Sequence, residues 1–385
     1  MHNDVRSSIL PEDAASATLI GRLWDPVTGG PRVVAVRGDA LVDLTQAVTT
    51  VSALLERPDA VALARQGGSG RSWRITDIAE RPDPARPHLL APIDLQVIKA
   101  CGVTFADSLL ERLIDERSSG DAARAVEVRA AVVDAMGSDR ISVRPGSPEA
   151  VRMRDRLRAL GTWSAYLEVG IGPDPEVFTK APVLAAVGSG ALVGIPAFSE
   201  WNNPEPELVL AITSAGRIVG ATLGNDVNLR DVEGRSALLL GMAKDFTAST
   251  AVGPFVRLFD ERFGIEHLRG VEIELRVWGA DGFELAGVNS LGRISRPFEE
   301  LVGAAFGAHH QYPDGFVLFT GTLFAPTADR DVPGSGFTHH AGDLVEISSP
   351  ALGTLRNLVA PVEDVPPWTW GLGRHLEYVR TLVGG

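Results

Sequence analysis

Glu205 and Glu207 flank Pro206 at one end of the stretch "NNPEPELVLAITSAGRIVGATLGNDVNLRD", residues 202–231, and Asp226 stands near its other end. Side chains two apart along a strand share a face, so the two glutamates point together. Pro206 then faces away, at an edge or strand start where its missing N–H costs little. The apolar runs "LVLAI" and "RIVGATLG" flank the turn "TSAGR", and a hairpin folding about Ala215 and Gly216 sets Asp226 directly across from Glu205. Three carboxylates at cross-strand spacing, roughly 5 Å, repel one another unless something neutralises them. A divalent cation does so, and oxygen ligands without a thiolate favour Mg²⁺, Mn²⁺ or Ca²⁺ over structural zinc. Three ligands also leave open positions on an octahedral ion. An exposed, solvated acidic hairpin is the other reading of the same spacing. On the metal reading, removing one carboxylate relieves repulsion, so metal-free stability holds or rises.

The elements that must carry these residues are legible around them. Residues 17–45 are β-rich and broken at Gly29-Gly30 and Gly38-Asp39, which is turn chemistry and predicts a small antiparallel sheet. "TTVSALLERPDAVALARQ" reads as one or two short helices, and the Pro-rich "ERPDPARPHLLAPID" at 80–94 has linker composition. The expected division is therefore a small N-terminal β-rich domain with linker over 1–90 and a catalytic domain over 91–385. A helical section follows at about 106–165, where Leu109, Leu110, Leu113 and Ile114, then Val126, Ala130 and Val133, keep a helical period. Beyond 175 come short β-rich runs, with helical candidates at 231–243 and 297–306. The class is α+β with a mixed β domain.

Composition narrows the function. With 45% hydrophobic and 22% charged residues in 385, the chain is ordinary globular protein. Its formal charge of -13, with basic residues scattered, offers no electrostatic footprint for nucleic acid or anionic lipid. Cys101 is the only cysteine, which excludes an internal disulfide or a multi-cysteine zinc site; it reads as a small buried hydrophobe. No basic n-region with a long apolar segment opens the sequence, and no run reaches the roughly 18 apolar residues of a membrane span. A cytoplasmic protein without a membrane partner is expected.

Several ordered motifs carry a resemblance. "EPE" (205–207), "GNDVNLRD" (224–231), "AKDF" (243–246), "VGPF" (252–255), "FTGT" (319–322) and "AGDLVEISSPALGTLRNLV" (341–359) follow one another as in the fumarylacetoacetate hydrolase family, which the chain resembles from about residue 95 to 360. The resemblance implies a mixed β-roll, a homodimer, and Glu205, Glu207 and Asp226 as ligands of Mg²⁺ or another divalent ion that chelates a 2-oxo acid. Lys244 falls where the family keeps an active-site lysine, and a cation there would stabilise a developing enolate. Lys180 in "VFTKAP" is similar to the family's Phe-x-Lys-Pro, although Ala181 separates it from Pro182. Arg230 is a candidate substrate contact or, with Asp231, a local ion pair at a helix start. Thr320 and Thr322 offer hydroxyls to substrate or to a strand end. "CGVTFADSLLERLIDE" resembles a family segment whose His–Glu dyad activates water in hydrolytic members; here Ser108 stands at the His position and Glu111 at the Glu.

A serine cannot replace histidine as a base near neutral pH, so the expected chemistry is dehydration of a 2-keto-3-deoxy sugar acid, with Glu111 as base and Lys244 as electrostatic helper. Relatives resembling this chain include 2-keto-3-deoxyarabinonate dehydratases. The alternatives are C–C hydrolysis of a β-diketo acid, with His309 or His339 supplying the missing base, and a non-catalytic 2-oxo acid binder. Neither His309-His310 nor His339-His340 matches a ligand of the family, and adjacent histidines point to opposite sides of a strand. Trp368 and Trp370 in "PPWTWG" read as packing residues.

Overall fold

The computed structural model describes residues 9–68, 70–105, 109, 130, 143–159, 161, 163–323, 328–331 and 336–383. The chain first lays down β1 (Leu19–Asp25), β2 (Gly30–Arg37), β3 (Ala40–Asp43), β4 (Ser72–Arg74), β5 (His88–Leu90), β6 (Val97–Gly102) and β7 (Glu176–Ala181). It continues with β8 (Leu192–Ile195), β9 (Asn202–Asn203), β10 (Pro206–Ile212), β11 (Ile218–Asp226), β12 (Asn228–Leu229) and β13 (Thr250–Leu258). Last come β14 (Glu272–Trp278), β15 (Glu284–Ser290), β16 (Phe316–Phe319), β17 (Leu344–Ser349) and β18 (Gly353–Pro361). The large sheet runs β4-β3-β2-β1-β13-β11-β10-β16-β6-β7 with β5 paired to β1, and a second sheet runs β15-β14-β17-β18-β8.

Burial patterns show why the strands differ. β14 alternates Glu272, Glu274 and Arg276 outward with Ile273, Leu275 and Val277 inward, as a strand with one wet face must. β10 is buried at every position because both of its faces are covered. Leu208 and Leu210, with Leu223 of β11, join Ile273, Leu275, Val345 and Ile347 in the core between the two sheets. Val209 and Ala211 face the other way, toward Val252, Val256 and Phe319 and toward Val51 and Leu54 from the short helix Val51–Leu55. The hairpin that carries the carboxylates is thus held from both sides.

The expected linker at 80–94 contains a strand, β5, with Leu89 opposite Leu23. The N-terminal strands continue the large sheet, because β1 lies antiparallel to β13 with Leu19 opposite Arg257. Helices Val51–Leu55 and Ala60–Gln66 form as expected, the first started by the Thr50 side chain accepting from the Ala53 amide. The candidate at 231–243 forms in pieces: Arg230–Glu233, a 3-10 turn at Ala237–Leu239 and Leu240–Lys244. Gly234 ends the first, and Ser236 caps the next by accepting from the Leu238 amide. The candidate at 297–306 forms as Phe298–Ala305. Of the helical section, the helix Pro148–Ala159 is described; Leu110, Leu113, Ile114, Val126 and Val133 lie outside the described residues. Among the described residues no helix is long and apolar enough to cross a membrane.

Candidate metal and substrate site

The hairpin register places the acidic residues as their spacing requires. Glu207 pairs with Gly224 and Pro206 with Asn225, and the Asp226 amide donates to the Glu205 carbonyl at 3.0 Å. The turn closes at Gly216, whose φ of 75 suits the left-handed region. Ligand oxygens of Glu205, Glu207 and Asp226 all lie within 4.8 Å of one another, and all three residues are buried. The solvated-hairpin reading is thereby excluded. Beneath them Gly224 leaves room for the Phe319 ring and Val209; a Cβ there would collide with both.

Two lysines enter from separate elements. Lys244, at the end of the helix Leu240–Lys244, puts Nζ 2.6 Å from Glu205 Oε2 and 3.5 Å from Asp226 Oδ2. Lys180 puts Nζ 2.7 Å from Asp226 Oδ1 and also donates to the carbonyls of Val227 and Lys244. It does so from a β-bulge: on β6, Ile98 faces Ala181 and Lys99 faces Thr179, which leaves Lys180 as the extra residue of β7. A bulge re-aims a side chain without ending the strand, and Lys180 and Ala181 are consequently both buried. The irregular "TKAP" spacing in the sequence has this bulge beside it.

The electrostatics remain unbalanced. With all three carboxylates ionised, they would exceed the two ammonium groups by one negative charge. Burial, reinforced by Asp226 and Glu205, pushes the Glu207 carboxyl well above its ordinary range. Its Oε2 accepts from the Gly321 amide at 2.6 Å. Burial alone would lower Lys244, but Asp226, Glu205 and Glu233 outweigh it and hold the ammonium above its usual value. For Lys180 burial wins over the pull of Asp226, and the value falls. A small hard cation would supply the missing positive charge, and the donor set is of the all-oxygen kind such ions take, so the residues present fit a Mg²⁺-type ion.

Residues 154–360, over half of the chain, match the family model described as fumarylacetoacetate (FAA) hydrolase, C-terminal. The chain belongs to the fumarylacetoacetate hydrolase family. A family relative described as a probable 2-keto-3-deoxyxylonate dehydratase, from Haloferax volcanii, is 28% identical over 338 residues, covering 87% of this chain and 98% of that protein. The 2-dehydro-3-deoxy-D-arabinonate dehydratase of Saccharolobus solfataricus is 31% identical over 189 residues, 49% of this chain and 59% of that protein. Among solved structures, 2-keto-3-deoxy-D-arabinonate dehydratase complexed with magnesium and 2,5-dioxopentanoate superposes with a TM-score of 0.60 at 22% identity, over 89% of this chain and 99% of that one. The mixed β architecture is therefore that of the fumarylacetoacetate hydrolase fold.

The remaining family positions distribute unevenly. Thr320 takes the strand-end role, its hydroxyl donating to the Leu208 carbonyl at 3.2 Å; Thr322 is buried beside it. The Arg230 guanidinium stacks 4.2 Å over the Trp201 ring, while Asp231 accepts from the Ser199 hydroxyl and the Glu200 amide. Ser108 and Glu111 lie outside the described residues. His309 and His310 are exposed and bond to the Ala304 and Gln311 carbonyls, whereas His339 is buried against Asp343. Cys101 is buried, and its thiol is pushed up accordingly. Trp370 packs on Trp24 and Tyr378, but Trp368 is 52% exposed, against the packing expected of it.

Two contributors escaped sequence reasoning. Gly321 was passed over for the threonines around it, yet its amide reaches Glu207; its φ of 90 and the Thr104 hydroxyl, which a Cβ would strike, make glycine necessary. Asn228 donates to Glu205 Oε1 at 3.3 Å and to Glu233 Oε2 at 2.6 Å. Asn203 stands opposite Asn228. The repeated "NN" and "ND…N" beside the carboxylates was the available signal.

Proposed function

We propose that this chain is a Mg²⁺-dependent hydro-lyase that removes water from a 2-keto-3-deoxy sugar acid. The observation that carries the reading is the buried Glu205, Glu207 and Asp226 triad, which when fully ionised is still one positive charge short with Lys180 and Lys244 in place. The similarity to the Haloferax dehydratase, nearly end to end in that protein, supports the choice of chemistry. Glu205, Glu207 and Asp226 would hold a divalent ion, which would supply Lewis-acid polarisation of a 2-oxo acid and so acidify its C3 protons. Lys244, kept cationic by its carboxylate neighbours, stands beside the site as a fixed positive charge that favours an anionic transition state. Lys180 and Asn228 orient Asp226 and Glu205. Glu111 is the proposed base for the C3 proton; the electrons of that C–H bond form the C3–C4 double bond as the C4 hydroxyl leaves, and the proton taken up by Glu111 is returned to that hydroxyl to give water.

The supporting arrangement is proposed to be a homodimer of this 40.9 kDa chain. Phe198, Leu238 and Met242 stand exposed on the segments around the site and give a partner apolar surface to cover. Light scattering at micromolar concentration should report twice the chain mass; the single-chain mass would remove the dimer.

The activity is tested by incubating the protein and Mg²⁺ with 2-keto-3-deoxy acids and with acylpyruvates and weighing the products. Dehydration leaves one product lighter by a water, and Glu111→Gln should abolish it. Cleavage of acylpyruvates with uptake of water, and no water loss from any keto-deoxy acid, would replace the reading by C–C hydrolysis.

A further inference from the structure

The hairpin register does not stop at the carboxylates. β9 and β12 continue it as a short two-stranded ribbon, with Asn203 opposite Asn228 and Asn202 opposite Leu229. Asn203 and Asn228 are cross-strand partners, whose side chains share a face of the ribbon. The bond from Asn228 Nδ2 to Glu205 Oε1, 3.3 Å, sets Asn228 beside the carboxylates. Both residues are 2% exposed. Among the described residues, Asn203 Oδ1 and Asn228 Oδ1 have no hydrogen-bond partner.

Their amide orientations are fixed by what the nitrogens touch. Asn203 Nδ2 donates to the Pro204 carbonyl at 3.0 Å, and Asn228 Nδ2 to two carboxylates. These partners can only accept, so the unmatched atom is the oxygen in each case. Two buried acceptors without a donor are costly unless a ligand completes them. Asn228 adjoins Glu205, and Asn203 stands across the ribbon from Asn228, beside the triad that would anchor a short-chain acid.

We propose that Asn203 and Asn228 form a hydroxyl-reading subsite that selects 2-oxo acids with a hydroxyl at the end of a short tail. A tail hydroxyl supplies one O–H donor to this pair of acceptors, to either oxygen or shared between them, and brings no further charge into the acidic site. A keto tail, as in a β-diketo acid, sets oxygen against oxygen, and an alkyl tail leaves the acceptors unmatched. A site built around such a bond rejects the analogue that lacks it more strongly than an apolar pocket rejects a missing methylene. The inference rests on the triad being the anchor of a 2-oxo acid.

The test uses the full chain with saturating Mg²⁺ and two unreactive probes of equal length, 5-hydroxy-2-oxopentanoate and 2-oxopentanoate, titrated by calorimetry. Neither probe has a C4 hydroxyl to lose, so the reading is independent of dehydration. Wild type is expected to bind the hydroxylated probe about tenfold or more tightly than its partner. Asn203→Ala should erase that preference while affinity for 2-oxopentanoate, and for Mg²⁺ alone, stays within about twofold. The wild-type comparison stands even if the variant folds poorly. Equal binding of the two probes by wild type overturns the subsite, as does an Asn203→Ala variant that weakens both probes alike or loses Mg²⁺. If neither probe binds, the anchor itself is wrong. A protein that dehydrates keto-deoxy acids yet binds the probes equally loses only the subsite; one that keeps the preference without losing water from any acid loses only the dehydratase assignment.

Discussion

Two buried clusters of charge in this protein use similar side chains and end in opposite states. Around Arg330, Nη1 lies 2.6 Å from Asp343 Oδ2, Nη2 lies 2.8 Å from Asp343 Oδ1, and His339 adds its ring nitrogen at 3.4 Å. Asp281 joins from a position open to solvent. Burial would raise the Asp343 carboxyl, but the bonds from His339, Arg330 and the His340 amide hold it well below the ordinary range. One buried cation matches one buried anion in bidentate geometry, which closes the cluster. Around Asp226, by contrast, two cations meet three carboxyls and one of these, Glu207, is pushed the other way. A cluster that satisfies itself ties elements together. One whose full ionisation leaves charge in excess is prepared for a ligand.

The largest effect should come from taking ligands out of the open cluster. Asp226→Ala or Glu205→Ala is expected to lower turnover by about 10³-fold or more, the several kcal/mol that a bound cation contributes to such chemistry. Steady-state kinetics with Mg²⁺ checks this; turnover within tenfold of wild type would put the ion elsewhere. Repulsion alone predicts that these changes hold or raise metal-free stability, but the lysines reverse that expectation, because each substitution strips a buried ammonium of its partner. Metal-free melting temperatures should therefore fall.

The closed cluster should respond in stability alone. Arg330→Met leaves Asp343 buried without its cation, at a cost of about 3–5 kcal/mol, measured by denaturant unfolding near neutral pH. Because the folded Asp343 titrates below its unfolded value, its contribution is full above about pH 3.9 and is lost as pH falls toward the folded value. The gap between wild type and variant should thus narrow in acid; a gap independent of pH would mean that Asp343 is not the group involved.

A smaller shift should mark Glu207. Its folded carboxyl titrates above the unfolded one, so metal-free stability is full below about pH 4.3 and declines as pH rises through the folded value. Glu207→Gln keeps the shape and an acceptor for the Gly321 amide without the charge. Metal-free, it should match wild type in mild acid and exceed it by on the order of 1 kcal/mol in mild alkali, with Mg²⁺ reversing the order. Thermal melts across pH would show parallel curves if Glu207 were not under strain from its neighbours.

The difference between the clusters also marks how far the sequence could be read. Glu205, Glu207 and Asp226 were legible because strand alternation and one turn glycine set their register without help from the rest of the fold. Lys244 followed from a motif. Lys180 was visible as a residue but not as a position, since a β-bulge is decided by pairing with β6, far away in sequence. Its contact with Asp226 shows that the carboxylates are partly neutralised by the chain itself, which local spacing alone did not reveal. The meeting of the Arg330 cluster left no local trace: Asp281, Arg330 and Asp343 come together only because the second sheet brings their loops together. The expected linker at 80–94 failed for the same reason, as β5 becomes a strand only through its partner β1.

The most direct measurement is a calorimetric Mg²⁺ titration of the metal-free protein near neutral pH in buffers of different ionisation enthalpy. An open cluster with a raised Glu207 carboxyl should take up one Mg²⁺ per chain, release protons as it does so, and lose that release in Glu207→Gln. No saturable binding, or undiminished binding in Asp226→Ala, would contradict the account.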